Sequence, residues 1–243
     1  MTDIAVVTGA ASGIGRGVAL KLAQDGFDVA LLDIREADET ADAVAALGRR
    51  AQPVHCNVAD RKSVEAARFR VHEKLGKPSV IVNCAGWSVI EPFLENDDAF
   101  WDRAIDVNLR GSILVTRVFI DDLLENNGGR VVLVASDAGR VGSTGEVVYS
   151  AAKGGVMAFT KALAREMARR SITVNCVCPG PTATPMLMVQ EPKRIEALTR
   201  AIPMRRLAEP ADIAAAVAFF VSAGASYITG QILSVSGGLT MAG

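Results

Sequence analysis

Tyr149 and Lys153 form a pair of side chains whose types and spacing suit acid–base chemistry. The stretch YSAAK places them four residues apart, so a helix would present both on one face. A phenol with a pKa of about 10 is a weak base at pH 7 unless its anion is stabilised. We expect the Lys153 ammonium to lower the pKa of Tyr149, which would let the phenol exchange the hydroxyl proton of an alcohol during hydride transfer. The other tyrosine, Tyr227, has Gln231 at this spacing and is expected to be structural.

A glycine-rich stretch, TGAASGIG, follows the first apolar run, residues 4–7. A first strand-to-helix turn that binds a dinucleotide passes its backbone close to the pyrophosphate and points a helix N-terminus at it. Gly9 is predicted to permit the tight turn, Gly13 to let the backbone approach the phosphates, and Gly15 to let helix 14–24 pack on the sheet. A plain glycine-rich turn is the alternative, but the position between a strand and a helix favours a dinucleotide site.

Asp33 ends the second apolar run, VALLD, where a carboxylate can accept hydrogen bonds from both ribose hydroxyls of an adenosine. The same carboxylate would repel a 2'-phosphate, and Ser12 before the second glycine carries no positive charge. The pattern therefore favours NAD over NADP. Arg16 and Arg35 could pair with a 2'-phosphate, so NADP remains the alternative.

Short apolar, β-branched runs alternate with helical patterns along the whole chain, which is typical of βαβ units. The runs are apolar throughout, so both faces of the sheet should be covered by helices. The predicted fold is α/β: a single-domain Rossmann fold over residues 1–243, with a doubly wound, seven-stranded parallel sheet and helices on both faces. The predicted strands are 4–7, 29–32, 51–56, 80–82, 131–134, 172–177 and 232–235. Segment 180–203 interrupts the alternation and is expected to form a substrate lid at the carboxyl ends of the strands.

The charge balance gives no reason to expect nucleic acid or a membrane surface as a partner. Lys and Arg number 26 against 27 Asp and Glu, without a block of like charge. The start of the chain lacks the apolar core of a secretory signal, so we expect a cytoplasmic protein. The apolar stretch 213–225 is too short to cross a bilayer and is predicted to be a buried helix.

The cysteines do not have the spacing of a metal site. Cys56, Cys84, Cys176 and Cys178 form no C-x-x-C pair, and His55 and His72 stand alone. We expect the cysteines to be small buried hydrophobes and no metal to be bound.

An ordered set of motifs resembles the short-chain dehydrogenase/reductase family over the whole chain. After TGAASGIG come NCAG (83–86), Asn108, Ser136, YSAAK (149–153), PGPTAT (179–184) and ITGQ (228–231). Two positions depart from the family pattern: Asn57 replaces a usual Asp, and Cys84 replaces a common second Asn. The resemblance implies an oxidoreductase with a Rossmann fold and a nicotinamide cofactor.

The resemblance also implies roles for individual residues. The catalytic residues would be Tyr149 as acid and base, Lys153, Ser136 as holder of the substrate oxygen, and Asn108, which would connect Lys153 through a water to solvent. For Asn108 the alternative is a helix residue that bonds its own neighbours. The cofactor-binding residues would be Gly9, Ser12, Gly13, Ile14, Gly15, Asp33, Ile34, Asn57, Val58, Asn83, Ala85, Gly86, Tyr149, Lys153, Pro179, Gly180, Thr182 and Thr184.

The substrate is expected between Tyr149 and the segment after Pro179. Its candidate contacts are Trp87, Ser136, Asp137, Ser143, Glu146, Met186 and Met188. Methionines suit a partly apolar alcohol, whereas Asp137 and Glu146 either read a polar group or are solvated loop charges. Strings at 135–143, 175–182 and 228–241 resemble 2-hydroxycyclohexanecarboxyl-CoA dehydrogenases and related hydroxyacyl-CoA dehydrogenases, a degradative, NAD-dependent subgroup.

Three functions therefore stay open. The first is an NAD-dependent dehydrogenase of cyclic alcohols or hydroxyacyl-CoA compounds, the second an NADPH-dependent 3-oxoacyl thioester reductase, and the third a non-catalytic NAD-binding sensor. A sensor would not need the catalytic set, which argues against the third. The family resemblance also implies a homotetramer that assembles through the helices before and after the catalytic strand, about 99–124 and 151–168.

Overall fold

A sheet of seven parallel strands forms the framework of the protein. A computed structural model describes residues 3–241, so Met1, Thr2, Ala242 and Gly243 of the predicted domain lie outside the described residues. The sheet order is β3-β2-β1-β4-β5-β6-β7, which reverses between β1 and β4 and opens a crevice there. The strands are β1 (Ile4–Thr8), β2 (Asp28–Asp33), β3 (Ala51–His55), β4 (Val80–Asn83), β5 (Gly129–Val134), β6 (Ile172–Pro179) and β7 (Ile232–Val235).

Helices cover both faces of this sheet. They are α1 (Gly13–Gln24), α2 (Asp38–Ala46), α3 (Arg61–Lys74), α4 (Asp98–Ile105), α5 (Gly111–Glu125), α6 (Ala138–Val141), α7 (Val147–Met167), α8 (Pro185–Met188), α9 (Pro192–Ala201) and α10 (Pro210–Val221). One core cluster joins the sheet to α1, α2 and α10, and the other joins it to α3, α5 and α7. The predicted doubly wound Rossmann fold with seven parallel strands is confirmed.

Strand β1 illustrates why a strand between two helix layers is rich in apolar residues on both of its faces. All five of its residues are buried, and successive side chains enter opposite core clusters: Val6 packs towards α3, α5 and α7, and Val7 towards α1, α2 and α10. Successive Cβ atoms of a strand point to opposite faces, so a strand between two helix layers needs apolar residues at every position.

The carboxyl-terminal part of the chain differs in detail from the sequence expectation. The apolar stretch 213–225 contributes buried residues as predicted, but helix α10 begins at Pro210 and ends at Val221. Pro210 stands in the first turn, where its missing N–H costs nothing, and Glu209 with Asp212 forms a capping box. Within residues 3–241, no helix combines the length and the apolar character that a membrane span needs.

A π-helical turn, Asp106–Arg110, joins α4 to α5. The predicted helical region 99–124 is thus continuous but contains a change of register. Asn108 lies inside this turn and is fully buried. Single π turns inside α-helices occur frequently at functional sites, so the surroundings of Asn108 are a candidate for one.

Candidate active site

A cavity of about 810 Å³ opens at the carboxyl ends of the strands. Its wall is built from the segments that follow β1, β2, β3, β4, β5 and β6, together with α8 and α9. Parallel strands bring these segments to the same edge of the sheet, where ligands of open α/β sheets bind.

The glycine-rich turn lies at one end of the cavity. Gly9 and Gly13 have φ angles of +68° and +55°, which residues with a Cβ rarely adopt. A Cβ added to Gly15 would lie 2.1 Å from the carbonyl oxygen of Gly9, so only glycine allows helix α1 to approach the turn this closely. Helix α1 begins at Gly13, so its first N–H groups, which have no partner within the helix, belong to residues that line this end of the cavity.

Asp33 ends β2 beside this turn and is buried. Its Oδ2 accepts a hydrogen bond from the backbone N–H of Ala11 and its Oδ1 one from that of Arg35, both at 3.0 Å. The Arg35 guanidinium donates from Nη2 to Ser12 Oγ at 2.7 Å, and its Nε lies 3.6 Å from Asp33 Oδ1. A carboxylate and a guanidinium therefore stand together on the wall, whereas Arg16 does not line the cavity.

The predicted acid–base pair lies near the middle of the cavity. Lys153 is 3% exposed, donates from Nζ to the carbonyl oxygen of Val134 at 2.9 Å, and lies 5.7 Å from the centroid of the Tyr149 ring. Helix α7 carries both side chains one turn apart, as the spacing predicts. Ser136, just after β5, hydrogen-bonds the phenol of Tyr149.

Burial governs the proton affinity of both groups. It raises the pKa of Tyr149 well above its ordinary value, the hydrogen bond from Ser136 acts in the opposite direction, and the charge of Glu146 raises it further. Burial also lowers the pKa of Lys153 to about 8. The expected lowering of the Tyr149 pKa is therefore wrong for this structure, because desolvation of the phenolate outweighs the hydrogen bond that stabilises it.

Asn108 bonds the backbone of two segments, one after β4 and the other in α4. Its Nδ2 donates to the carbonyl oxygens of Trp87 at 2.7 Å and Ala104 at 2.8 Å, and its Oδ1 accepts from the N–H of Trp87 at 3.1 Å. A Cβ on Gly86 would lie 3.1 Å from Asn108 Oδ1 and 3.6 Å from Lys153 Nζ, so Gly86 separates the two side chains narrowly. These contacts favour the alternative in which Asn108 bonds its neighbours.

The comparisons with known proteins match nearly the whole chain. The short-chain dehydrogenase family model described as enoyl-(acyl carrier protein) reductase matches residues 9–240. The (3R)-3-hydroxyacyl-CoA dehydrogenase of Homo sapiens is 39% identical, with 98% of this chain and 95% of the relative covered. The acetoacetyl-CoA reductase of Acinetobacter sp. (strain RA3849) is 38% identical, with 98% of both covered. A solved variant of actinorhodin polyketide ketoreductase with NADPH has a TM-score of 0.94 at 34% identity and covers 98% of this chain and 97% of its own.

This chain is a member of the short-chain dehydrogenase/reductase family. The family consists of oxidoreductases that bind a nicotinamide cofactor, so the coarser part of the functional prediction is confirmed.

The cavity of this short-chain dehydrogenase/reductase gathers most of the predicted site residues. From the cofactor set, its wall contains Gly9, Ser12, Gly13, Ile14, Gly15, Asp33, Ile34, Asn57, Val58, Ala85, Gly86, Tyr149, Lys153, Pro179, Gly180, Thr182 and Thr184. From the substrate set, it contains Trp87, Ser136, Asp137, Ser143, Glu146 and Met186.

Three predicted residues lie off the cavity wall, and each has a physical reason. Asn83 is buried with its Nδ2 donating to Thr116 Oγ1 at 2.9 Å, so its amide faces helix α5. Asn108 is withdrawn into the π turn. Met188 follows Met186 by two helical positions, which turns it about 200° away, and it is 54% exposed.

Asn57 lines the cavity, but part of its amide is bonded within its own segment. The Asn57 Oδ1 accepts a hydrogen bond from the N–H of Ala59 at 3.1 Å, so this oxygen is already partly engaged. Cys56, Cys176 and Cys178 are buried as expected. Cys84 is only partly buried and lines the cavity, which corrects its assignment as a core residue. Within residues 3–241, no group of three or more His, Cys, Asp or Glu is arranged to hold a metal ion.

Sequence reasoning missed several residues of the cavity wall. Ser88 donates to Glu146, and the Arg103 guanidinium carbon lies 4.5 Å above the centroid of the Trp87 ring. Ile90, Leu187, Gln190, Arg194 and Leu198 also line the wall. Ser88 could have been found from its position two residues after NCAG, in the segment that follows β4, but no pattern marks Arg103 or Arg194.

Proposed function

We propose that this chain is an NAD-dependent oxidoreductase that transfers a hydride between a secondary alcohol of the hydroxyacyl thioester or cyclic class and the nicotinamide. The observation that carries the proposal is the cluster of Tyr149, Lys153 and Ser136 in the middle of a cavity that has the glycine turn and Asp33 at one end. The proposed cofactor-binding and catalytic roles are those of the sequence analysis, except for the residues corrected above.

The glycine turn and Asp33 fit a dinucleotide. Gly9, Gly13 and Gly15 leave the main chain bare where a pyrophosphate would approach, and the N-terminus of α1 would stabilise its charge. Asp33 is held by two backbone N–H groups, which leaves its remaining lone pairs for ribose hydroxyls. NAD would supply the acceptor of the hydride.

The catalytic residues would then divide the proton chemistry among them. The Tyr149 phenol exchanges a proton with the hydroxyl of the substrate when the positive charge of a bound oxidised nicotinamide offsets the desolvation of the phenolate. The Ser136 hydroxyl holds the same substrate oxygen. Lys153, whose pKa burial lowers to about 8, can give up or hold a proton near neutral pH beside the phenol. Asn108 fixes the backbone at Trp87, next to the Gly86 that separates it from Lys153, in the role of a positioning residue.

The substrate class draws support from the relatives and from the wall. The two relatives named above act on hydroxyacyl-CoA and acetoacetyl-CoA compounds, according to their names. The wall near Tyr149 offers apolar surface from Ile90, Val141, Met186, Leu187 and Leu198. Such a wall suits an acyl chain better than a sugar. The lid role of 180–203 and the homotetramer remain predictions.

The alternative is an NADPH-dependent 3-oxoacyl thioester reductase. One observation favours it: the Arg35 guanidinium stands on the cavity wall next to Ser12, where it could meet a 2'-phosphate. Separate measurement of kcat/KM with NAD and NADP distinguishes the two, since a higher value with NADP would support the alternative.

The replacement of Tyr149 tests the proposal. Tyr149→Phe is expected to keep the affinity for NAD within about twofold, but to lower kcat with 3-hydroxybutyryl-CoA by about 100-fold or more, because the proton acceptor is lost. Tyr227→Phe is the matched control, since Tyr227 is fully exposed. A Tyr149→Phe enzyme that turns over at the wild-type rate would overturn the proposed role, and NAD binding without turnover by the wild type would point to a sensor.

A further inference from the structure

Glu146 places a carboxylate on the substrate side of the cavity. It immediately precedes helix α7, three residues before Tyr149, and lines the cavity wall. Residues three apart at a helix start lie on the same side, and the charge of Glu146 raises the pKa of Tyr149. The carboxylate therefore acts on the place where the reacting oxygen of the substrate would lie.

Two serine hydroxyls hold this carboxylate in place. Ser88 donates to Glu146 Oε1 and Ser143 donates to Oε2, both at 2.7 Å. The two serines come from different segments, one after β4 and the other after β5, and the Glu91 N–H also bonds the Gly145 carbonyl oxygen at 2.9 Å. Glu146 is thus an ordered part of the wall and not a solvated loop charge.

No cation neutralises Glu146 within the described chain, where it forms no ion pair. The cations of the same wall are Lys153, Arg103 and Arg194, apart from Arg35 at the glycine turn. Lys153 donates to the carbonyl oxygen of Val134, and Arg103 lies over the Trp87 ring. Both Arg103 and Arg194 are exposed to solvent. The substrate side therefore presents an unpaired negative charge.

We propose that Glu146 is a specificity-determining residue that excludes free hydroxy acids and restricts the site to neutral acyl derivatives such as thioesters. The inference rests on the proposed function. When the hydroxyl of a 3-hydroxyacyl compound bonds Tyr149, its acyl carbon lies only two bonds from the reacting carbon. A free carboxylate there would face Glu146 in a partly desolvated cavity, where like charges repel strongly, whereas a thioester carbonyl carries no charge.

A pair of small substrates that differ in one charge tests this inference. We compare kcat/KM for racemic methyl 3-hydroxybutyrate and racemic 3-hydroxybutyrate with NAD. The wild type is expected to prefer the ester, and Glu146→Gln to reduce the ester-to-acid ratio roughly tenfold, mainly through a lower KM for the acid. Glu146→Asp keeps the negative charge and should therefore prefer the ester over the acid, as the wild type does. A wild type that prefers the free acid would overturn the proposal.

The matched control is Glu91→Gln. Glu91 lies on the same segment as Ser88, accepts a hydrogen bond from Asn96 Nδ2 at 2.6 Å, and does not line the cavity. Glu91→Gln removes the same charge at a place outside the cavity wall, so the ester-to-acid ratio should stay at the wild-type value. An equal change in Glu91→Gln, or an unchanged ratio in Glu146→Gln, would contradict the inference. Glu146→Ala replaces Glu146→Gln if the melting curve shows that the latter does not fold.

A binding measurement separates this inference from the proposed function. Acetoacetate and methyl acetoacetate are titrated into the complexes of wild type and Glu146→Gln with NADH, and binding is followed by NADH fluorescence. If the wild type binds NAD but turns over none of the alcohols, the proposed function fails. The affinity ratio of the two ketones still decides the role of Glu146: the ester should bind more tightly to the wild type, and this preference should fall in Glu146→Gln.

Discussion

The two ends of the cavity are built by different kinds of contact. At the glycine turn the decisive groups belong to the main chain: Asp33 is bound by the N–H groups of Ala11 and Arg35. On the substrate side the decisive contacts join side chains from separate segments, as in Glu146 with Ser88 and Ser143. The glycine-turn end depends on a backbone geometry that glycine residues allow. The second depends on which side chains distant loops bring together, so it can change its specificity without loss of the fold.

The largest effect is expected from the turn itself. In Gly15→Ala the new Cβ would meet the Gly9 carbonyl oxygen at 2.1 Å, so the turn and helix α1 must separate. We expect a loss of about 3 kcal/mol in the free energy of unfolding and a fall of about 100-fold or more in NAD affinity. Urea denaturation and calorimetric titration measure both. Gly224→Ala is the control, since the nearest atom to its Cβ lies at 3.6 Å; wild-type NAD affinity in Gly15→Ala would refute the backbone argument.

Lys153, at the junction of the two ends, gives a pH-dependent effect. Burial lowers its pKa from 10.5 to about 8, so between these pH values the unfolded chain binds a proton that the folded chain does not. The free energy of unfolding of the wild type, relative to Lys153→Met, should therefore rise by up to about 3 kcal/mol from pH 8 to pH 10.5. Denaturation at several pH values tests this, with Lys161→Met on the exposed face of α7 as control. A difference that falls with pH would contradict it.

The choice between NAD and NADP tests whether a single carboxylate determines the cofactor preference of the glycine-turn end. Asp33→Ala removes the group that would repel a 2'-phosphate and frees Arg35, whose Nε lies 3.6 Å from it. The ratio of kcat/KM for NADP to that for NAD should rise roughly 10- to 100-fold. The double variant with Arg35→Ala should lose most of this gain, and an unchanged ratio in Asp33→Ala would show that another group decides.

The smallest effect is expected on the substrate side, from two methionines of α8. Met186 lines the cavity, whereas Met188 does not. Met186→Ala should raise the KM for a medium-chain 3-hydroxyacyl-CoA about two- to fivefold through lost apolar contact, and Met188→Ala should leave it unchanged. Steady-state kinetics with a series of chain lengths measures the difference. Equal effects would mean that the orientation of α8 differs in the complex.

The fold and the glycine-turn end could be read from the sequence because their physical causes are local. A run such as 4–7 is apolar at every position only if both faces of its strand are buried, and β1 is wholly buried. Gly9 and Gly13 adopt positive φ angles that only glycine tolerates easily. The preference of apolar residues for burial and of glycine for positive φ angles is the same in any surroundings.

The parts that sequence reasoning missed depend on contacts between distant residues. Whether Asn83 faces the cavity or Thr116 is decided by packing against α5. The direction of the Tyr149 pKa shift follows from burial, which the spacing of Tyr149 and Lys153 does not contain. The bond from Ser88 to Glu146 spans 58 positions along the chain. No local pattern encodes these contacts.

The π turn at Asp106–Arg110 has a consequence for how this chain can vary. It accommodates one residue more than an α-helix would, so loss of a single codon there would let α4 and α5 merge into one regular helix. That merger would rotate α4 about 100° against α5 and pull the Asn108 amide away from Trp87. Point substitutions on the exposed face of this helix should be tolerated over evolutionary time, whereas a change of length by one residue should be eliminated.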